Sequence, residues 1–316
     1  MRPSACADAR PKAKCFVIMR SVATIVGLLA LTIFRGFSVE SIPIPNGSFE
    51  LPATTYASPF MDSWQKTAKP DWYDETGGFF WTQLTGEFTN TPPGAADHID
   101  NCDGGQAAWM FVVPEVGIFQ DYDNPPNHAF NAIYELGKSY RLTAGVIGGA
   151  QVLQMNGATC ELALYYRDSA SNMIVVAATT VTNLPTIFSN KTHFIDFHTD
   201  SSFVKASDPW AGQHIGVRLF SSITDTNLEG GYWDLDNVRL TAIRAPALSN
   251  PVWTNGQLSF ILQSELGVTL EIQKSTDPGE PIWSSLGFVT NGAGTTSFTD
   301  TNAVSGQSYY RARLVP

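Results

Sequence analysis

The sequence is poor in charge, because Asp, Glu, Lys and Arg together make up 15% of its 316 residues, against about 25% in typical soluble domains. Basic residues are fewer than acidic ones, 19 against 29, which gives a net charge of −10. A chain of this charge repels the phosphates of nucleic acids and anionic lipid headgroups. The composition therefore excludes a basic nucleic-acid binder and, with its many Gly, Ser, Thr and Asn residues, favours an extracellular β-rich protein.

Long apolar runs are also missing, apart from one at residues 22–34 that follows several basic residues. A run of about 13 residues falls short of the ~20 that a membrane-spanning helix needs. We therefore expect a secretory signal peptide over residues 1–38, with Met19 as an alternative start of translation and an uncleaved anchor as the other interpretation. Its removal takes away six basic residues and one acidic residue and leaves a net charge of −15. The expected location is outside the cell or on its surface, without membrane insertion.

Cysteine is scarce as well. Two of the four, Cys6 and Cys15, fall within the predicted signal peptide and leave Cys102 and Cys160. An exported pair can form a disulfide, but Cys102 lies in a polar turn and Cys160 in a predicted strand, so the pairing stays open. No Cys–His spacing typical of zinc is present, and neither are the sequence motifs of serine hydrolases, zinc proteases, P-loop proteins or dinucleotide binders.

Alternating apolar and polar residues dominate the rest of the chain, as in Tyr140, Leu142 and Ala144. About nine such segments between residues 42 and 243, with almost no helical period, predict an all-β, antiparallel jelly-roll β-sandwich. A proline-containing segment at 244–251 predicts a linker. Five further alternating segments within 252–316 predict a smaller immunoglobulin-like or fibronectin-like β-sandwich.

The last strand predicted for the larger domain carries an unusual pair of acids. Read with period two, residues 231–240 place two carboxylates on the same face as apolar side chains: Tyr232, Asp234, Asp236, Val238 and Leu240. An unpaired buried carboxylate costs several kcal/mol. A bound cation would offset that cost, and hard oxygen ligands favour calcium.

Three motifs of the larger domain resemble the galactose-binding-like jelly rolls: Asn-Gly-Ser-Phe-Glu at 46–50, Gly-Lys-Ser-Tyr-x-Leu-Thr at 137–143 and Asp-x-Asp-Asn-Val-Arg-Leu at 234–240. That group includes carbohydrate-binding modules of xylanases and glucanases, and the calcium-dependent cyclases of indole alkaloid biosynthesis. The resemblance covers about residues 42–242. The second domain resembles the small fibronectin-like domains of bacterial exported proteins, and no site residues carry over with that resemblance.

The resemblance implies a structural calcium that joins the first strand to the last. Its matching positions are Glu50 and Asp236, with main-chain oxygens near Asn46 as further ligands. The alternative is that Glu50 is a solvated residue at a sheet edge and Asp236 caps a turn.

Aromatic residues are dense between residues 60 and 88 and follow no helical period, which predicts aromatic loops over a β scaffold. Sugar binding uses aromatic rings stacked on sugar faces, together with a few hydrogen-bonding groups. The predicted ligand-binding residues are Trp72, Tyr73, Phe79, Trp81, Gln106, Gln120 and Arg218. The expected function is the binding of extracellular glycan without cleavage.

Two other functions stay open. In the cyclases an acidic residue late in the jelly roll protonates the substrate inside an aromatic-lined pocket, and the resemblance implies Asp234 for that role. The third interpretation is a structural protein of the cell surface with neither ligand nor turnover. The sequence alone pairs no two carboxylates across a cleft as glycoside hydrolysis requires.

Overall fold

The computed structural model describes residues 39–122, 130–149, 156–279, 282–303 and 307–315. The predicted signal peptide lies outside these ranges. Strands and short 3-10 turns make up the regular structure of the described residues, which confirms the predicted all-β fold. Within the same ranges, no helix has the length and hydropathy that crossing a membrane requires. The chain divides into two compact units, Ser41–Val204 with Trp210–Ala242, and a second that contains Ile243–Pro316.

The described residues of the larger unit form twelve strands in two antiparallel sheets. The strands are β1 (Glu40–Ile42), β2 (Ala57–Ser58), β3 (Gln65–Lys66), β4 (Thr85–Thr89), β5 (Gln106–Phe111), β6 (Gly117–Gln120), β7 (Lys138–Ile147), β8 (Thr159–Arg167), β9 (Met173–Thr182), β10 (Ile195–Asp200), β11 (Gly216–Ser221) and β12 (Tyr232–Arg244). Sheet A has the order β10-β7-β12-β5-β4-β2, with β1 paired to β12, and sheet B has the order β3-β6-β11-β8-β9.

The inner faces of the two sheets share one apolar core, with Leu142 and Leu235 from sheet A and Leu164 and Leu219 from sheet B among its members. This is the arrangement predicted for a jelly roll. Strands β3 and β4 fall in or at the end of the segment predicted to be aromatic loops. β3 has two residues and β4 contains Gly86, so they lack the alternation that identifies a strand in sequence.

Strand β12 does not keep a single alternation along its length. Leu235 and Val238 both belong to the core between the sheets, although they are three residues apart. Between them Asn237 has a φ of 49°, a left-handed conformation that Asn tolerates better than most residues. An extra residue of this kind acts as a β-bulge and reverses which side chains face inward. The prediction that Asp234 shares a face with Val238 is therefore wrong, and Asp234 lies on the outer face of sheet A.

The second unit has two three-stranded sheets, β13-β14-β17 and β16-β15-β18. Their strands are β13 (Ala247–Thr254), β14 (Gln257–Gln263), β15 (Thr269–Ser275), β16 (Ser284–Thr290), β17 (Thr295–Asp300) and β18 (Tyr309–Leu314). A small core of its own contains Leu262, Leu270 and Ile272. Most of the predicted linker at 244–251 is strand, because β12 continues to Arg244 and β13 begins at Ala247. The fibronectin-like assignment stays a prediction.

Candidate functional site

A cavity of about 520 Å³ opens on the outer face of sheet A. Aromatic side chains from three neighbouring strands and one loop line it, together with one carboxyl group, and we refer to it as the aromatic cavity. Its principal residues are Tyr56, Phe88, Trp109, Phe111, Tyr232 and Asp234.

Strand pairing brings these side chains together. Asp234 of β12 lies directly opposite Trp109 of β5, and Tyr232 lies opposite Phe111. The rings of Phe111 and Tyr232 are 5.8 Å apart between centroids, a distance at which aromatic rings attract each other. Side chains directly opposite on one sheet face are near neighbours, so the register alone places the carboxyl group of Asp234 beside an indole ring.

Glycine on β4 leaves room for that indole. Gly86 pairs with Trp109, and a Cβ atom at Gly86 would lie 2.3 Å from two carbon atoms of the indole ring and 2.4 Å from the Ser58 carbonyl oxygen. Any other residue would therefore displace the ring. The six-membered ring of Trp109 thus covers the backbone of β4, where a side chain would otherwise stand.

Asp234 is only 6% exposed, and its carboxyl group has no hydrogen-bond partner among the described residues. Burial alone raises its pKa to about 8. At neutral pH the group therefore holds its proton unless something in the cavity stabilises its charge.

Two other charged residues line the aromatic cavity. Lys191 donates a hydrogen bond from Nζ to the Gly148 carbonyl oxygen at 2.6 Å, and its pKa is lowered by burial. Asp97 is exposed. Neither is among the causes of the Asp234 shift, so the acid has no charged partner in the part of the chain that the structure describes.

The predicted aromatic platform is divided between the surface and the core. Trp72 and Phe79 are exposed, at 50% and 70%, as predicted for ligand contacts. Trp81 is 4% exposed and donates a hydrogen bond from Nε1 to the Thr67 carbonyl oxygen at 2.7 Å. Trp72 and the half-buried Tyr73 both contact the Trp81 ring edge-on. Trp81 is therefore a buried residue against which Trp72 and Tyr73 pack. The prediction that Trp81 itself contacts ligand is wrong, because its ring is not accessible.

The three polar residues predicted to contact ligand have partners inside the protein. Gln106 is 5% exposed and donates to the Phe49 carbonyl oxygen at 2.8 Å. Gln120 is 1% exposed and donates to the Pro45 carbonyl oxygen at 2.7 Å. Arg218 lies on the outer face of sheet B, where it forms an ion pair with Glu161 at 2.6 Å. None of the three lines the aromatic cavity, so these predictions are corrected too.

The two acids predicted to bind calcium meet at the turn that precedes β5. Glu50 accepts hydrogen bonds at Oε1 from the amides of Gly105 and Gln106, both at 2.8 Å. Asp236 is fully buried and accepts from the amides of Asp103 and Asn237, both at 2.6 Å. Burial is the main reason that its pKa is raised to about 7.

Asn46, the third predicted calcium ligand, makes several hydrogen bonds. Its side-chain amide donates to the Leu51 and Asp62 carbonyl oxygens, and its own carbonyl oxygen accepts from the Trp64 indole at 2.9 Å. Asn46 therefore fixes the first turn of the unit. In the part of the chain that the structure describes, no three His, Cys, Asp or Glu side chains form a group suited to a metal ion.

Cys102 and Cys160 are free thiols. Cys160 packs in the core between the two sheets, whereas Cys102 contacts a small apolar cluster that also contains Ile99 and Phe194. Ala107, on the outer face of sheet A beside Trp109 and Phe111, belongs to that second cluster. The two thiols thus lie in different cores, and the structure has no disulfide between them.

Trp109, Phe111 and Tyr232 were not predicted as ligand contacts, because they lie on apolar strands whose residues look like core positions in the sequence. One signal was present in β5: residues 107–111 are apolar on both alternating faces, unlike a strand with one face in water. A strand apolar on both faces indicates that something covers its second face, here the cavity and the small cluster around Ile99.

The sequence matches no protein-family model and no curated protein. Among solved structures it is similar to a Stig cyclase, Fisc from Fischerella sp. TAU, with 23% identity over 66% of this chain and 99% of that one and a TM-score of 0.46. It is also similar to the tandem CBM22-1–CBM22-2 domain of Xyn10C from Paenibacillus barcinonensis, with 11% identity over 89% of this chain and 86% of that one and a TM-score of 0.38. Both groups that the sequence motifs resemble are thus represented.

Proposed function

We propose that this protein is an extracellular glycan-binding protein and that the aromatic cavity of sheet A, instead of the loop cluster around Trp72, holds the sugar. The observation that carries the proposal is the row of rings on one sheet face beside a carboxyl group without a partner. Sugars present apolar C–H faces that stack on aromatic rings and hydroxyl groups that need hydrogen-bond partners. The cavity supplies both kinds of contact.

The geometry favours a sugar ring over an extended apolar ligand. Trp109 offers a broad ring close to the sheet, and Asp234 opposite it can donate or accept a hydrogen bond. Asn90 and Thr192 also line the cavity, but their side chains are bonded to Ile99 and Asn190, so Asp234 is the polar group that the site offers to a ligand hydroxyl. At about 520 Å³ the cavity is within the usual range of roughly 300–1,000 Å³ for small-molecule sites.

The experiment is a glycan array followed by calorimetry, with wild-type protein and the Trp109→Ala variant. We expect binding to at least one polysaccharide class and an affinity at least about tenfold lower in Trp109→Ala, because a stacked Trp is a typical binding hot spot. Trp72→Ala and Trp253→Ala are matched controls, since both residues are about half exposed, at 50% and 47%, outside the cavity. Loss of binding in Trp72→Ala alone would move the site to the loop cluster, and a wholly negative array would contradict the proposal.

A second candidate function is general-acid catalysis by Asp234. It is supported by a buried carboxyl group that opens into a cavity and holds its proton at neutral pH, the arrangement that a proton donor needs. Turnover of a bound compound that stops in a folded Asp234→Asn variant, while binding is kept, would favour this function. A variant that binds and turns over as wild type does would exclude it.

We also infer that calcium joins Glu50 to Asp236. Both supply the hard oxygen atoms that calcium prefers, and a cation would offset the burial of the Asp236 carboxylate. The chemistry it would supply is structural, since it would hold the first turn of the unit against the bulge of β12 and the turn before β5. Main-chain oxygens near Asn46 stay part of this proposal, because the Asn46 carbonyl oxygen accepts one hydrogen bond, from Trp64, and keeps a second lone pair.

A further inference from the structure

The carboxyl group of Asp234 lacks a partner that the protein could have provided. It is 6% exposed, opens into the aromatic cavity and has no hydrogen-bond partner within the described ranges. Lys191, the cation that also lines the cavity, donates to a backbone carbonyl oxygen. A buried acid without a partner in a ligand cavity indicates that the ligand itself completes the pair.

The surroundings of Asp234 favour an organic cation over a metal ion. Its neighbours in the β12–β5 pair are Trp109, Phe111 and Tyr232, and aromatic carbons are not ligands for hard metal ions. The acid two residues along the strand, Asp236, already accepts hydrogen bonds from the amides of Asp103 and Asn237. Aromatic ring faces do attract ammonium groups, by about 0.5–1 kcal/mol at exposed sites and ~2 kcal/mol or more when the cation is desolvated. A carboxylate flanked by rings thus recognises positive charge in two ways at once.

We propose that the glycan bound in the aromatic cavity is an amino sugar with a free, protonated amine, whose ring stacks on Trp109 while its ammonium group pairs with Asp234. This inference rests on the glycan-binding function proposed above and names the class of sugar. The net charge of the whole chain, −10, complements a polymer of such sugars, which is a polycation. Neutral and acidic sugars would leave Asp234 with a hydrogen bond at most.

The test compares three oligosaccharides of equal length and β-1,4 linkage, built from glucosamine, N-acetylglucosamine or glucose, so that only the group at C2 differs. Calorimetry is done where the amine is protonated and at about 0.15 M salt, where the Debye length of ~8 Å reduces long-range attraction. We expect the glucosamine oligomer to bind wild-type protein at least about tenfold more tightly than the other two. Equal affinity for all three would overturn the amino-sugar inference and leave glycan binding in place, whereas no binding of any oligomer would count against both.

Variants test whether the carboxyl group of Asp234 causes the preference for the glucosamine oligomer. Asp234→Asn should lower the affinity for the glucosamine oligomer to that for the glucose oligomer and change the latter by less than about threefold. Asp196→Asn is the matched control, because Asp196 is an exposed acid on the same sheet face but does not line the cavity, and it should leave the preference within about twofold. An equal loss in both variants would show unspecific attraction and overturn the inference. If Asp234→Asn does not fold, the comparison of the three oligomers on wild-type protein still decides.

Discussion

The outer faces of sheet A and sheet B both carry buried or half-buried acids, but they differ in whether those acids have partners. On sheet B, Asp121 accepts hydrogen bonds from the Tyr165 hydroxyl at 2.5 Å and from Arg167 Nε at 2.9 Å, and Glu161 pairs with Arg218. On sheet A, Asp234 has aromatic neighbours and no such bond among the described residues. These two acids of sheet B are paired within the protein, whereas Asp234 of sheet A is not paired within the described residues. A binding site differs from a structural network in this respect.

Replacing Asp121 should have the largest effect on stability. Asp121→Asn keeps the size of the side chain but leaves Arg167, whose side chain is 19% exposed, without its carboxylate. Breaking a buried ion pair from one side typically costs about 3–5 kcal/mol, and we expect a loss in this range from urea unfolding. Asp200→Asn is the control, because its pair with Arg141 is about half exposed and should contribute about 1 kcal/mol or less. Equal losses in the two variants would contradict the prediction that the buried pair of Asp121 contributes more stability than the exposed pair of Asp200.

Replacing Asp234 should change stability in the opposite direction. In the folded state this acid must either lose the hydration of its charge or hold a proton at pH 7, and both lower the free energy of unfolding. An amide avoids the problem, so we expect Asp234→Asn to raise the free energy of unfolding at pH 7 by about 3 kcal/mol. Asp196→Asn, at an exposed pair on the same sheet face, should change it by less than about 1 kcal/mol. A destabilised Asp234→Asn would mean that the acid has a structural partner after all.

The effect of calcium on stability should distinguish Asp236 from Asp234, which lies on the same strand. At a calcium concentration one hundred times the Kd, binding to the folded state alone adds about 2.7 kcal/mol. We expect calcium to raise the Tm of the wild-type protein and the chelator EDTA to lower it again, with no response in Glu50→Gln or Asp236→Asn. Asp97→Asn should respond as the wild type does. A Tm that is the same with calcium and with EDTA would contradict the inferred site.

Sequence predicted the strands that alternate regularly, such as β7 at Lys138–Ile147 and β14 at Gln257–Gln263, because their face pattern is local. It could not predict that the left-handed Asn237 reverses the faces of β12, since one bulge changes every later position. Burial of Gln106 depends on the Phe49 carbonyl oxygen, 57 residues away, and no local pattern predicts such a partner. The aromatic cavity was missed for a related reason: alternation shows two faces but does not identify the face that binds.

Glu87, between the two sheets, differs from both of these acids. It is buried as Asp121 is, and like Asp234 it has no hydrogen-bond partner within the described residues. Burial first, then the nearby charges of Asp62 and Glu50, raise its pKa to about 7. Glu87 does not line the aromatic cavity, so we expect a ligand bound there to leave it without a partner.

The smallest of these effects is therefore a dependence of stability on pH. A carboxyl group whose pKa is higher in the folded than in the unfolded state contributes stability that is present below the unfolded pKa and is lost as pH rises through the folded pKa of about 7. Between pH 5 and pH 8 we expect Glu87 to lower the free energy of unfolding by about 2 kcal/mol. Glu87→Gln should remove that part of the decline in urea unfolding measured with EDTA, whereas Asp97→Asn should keep it. If Glu87→Gln keeps the full wild-type decline, the pH dependence of stability comes from the acids of β12, and Glu87 does not contribute to it.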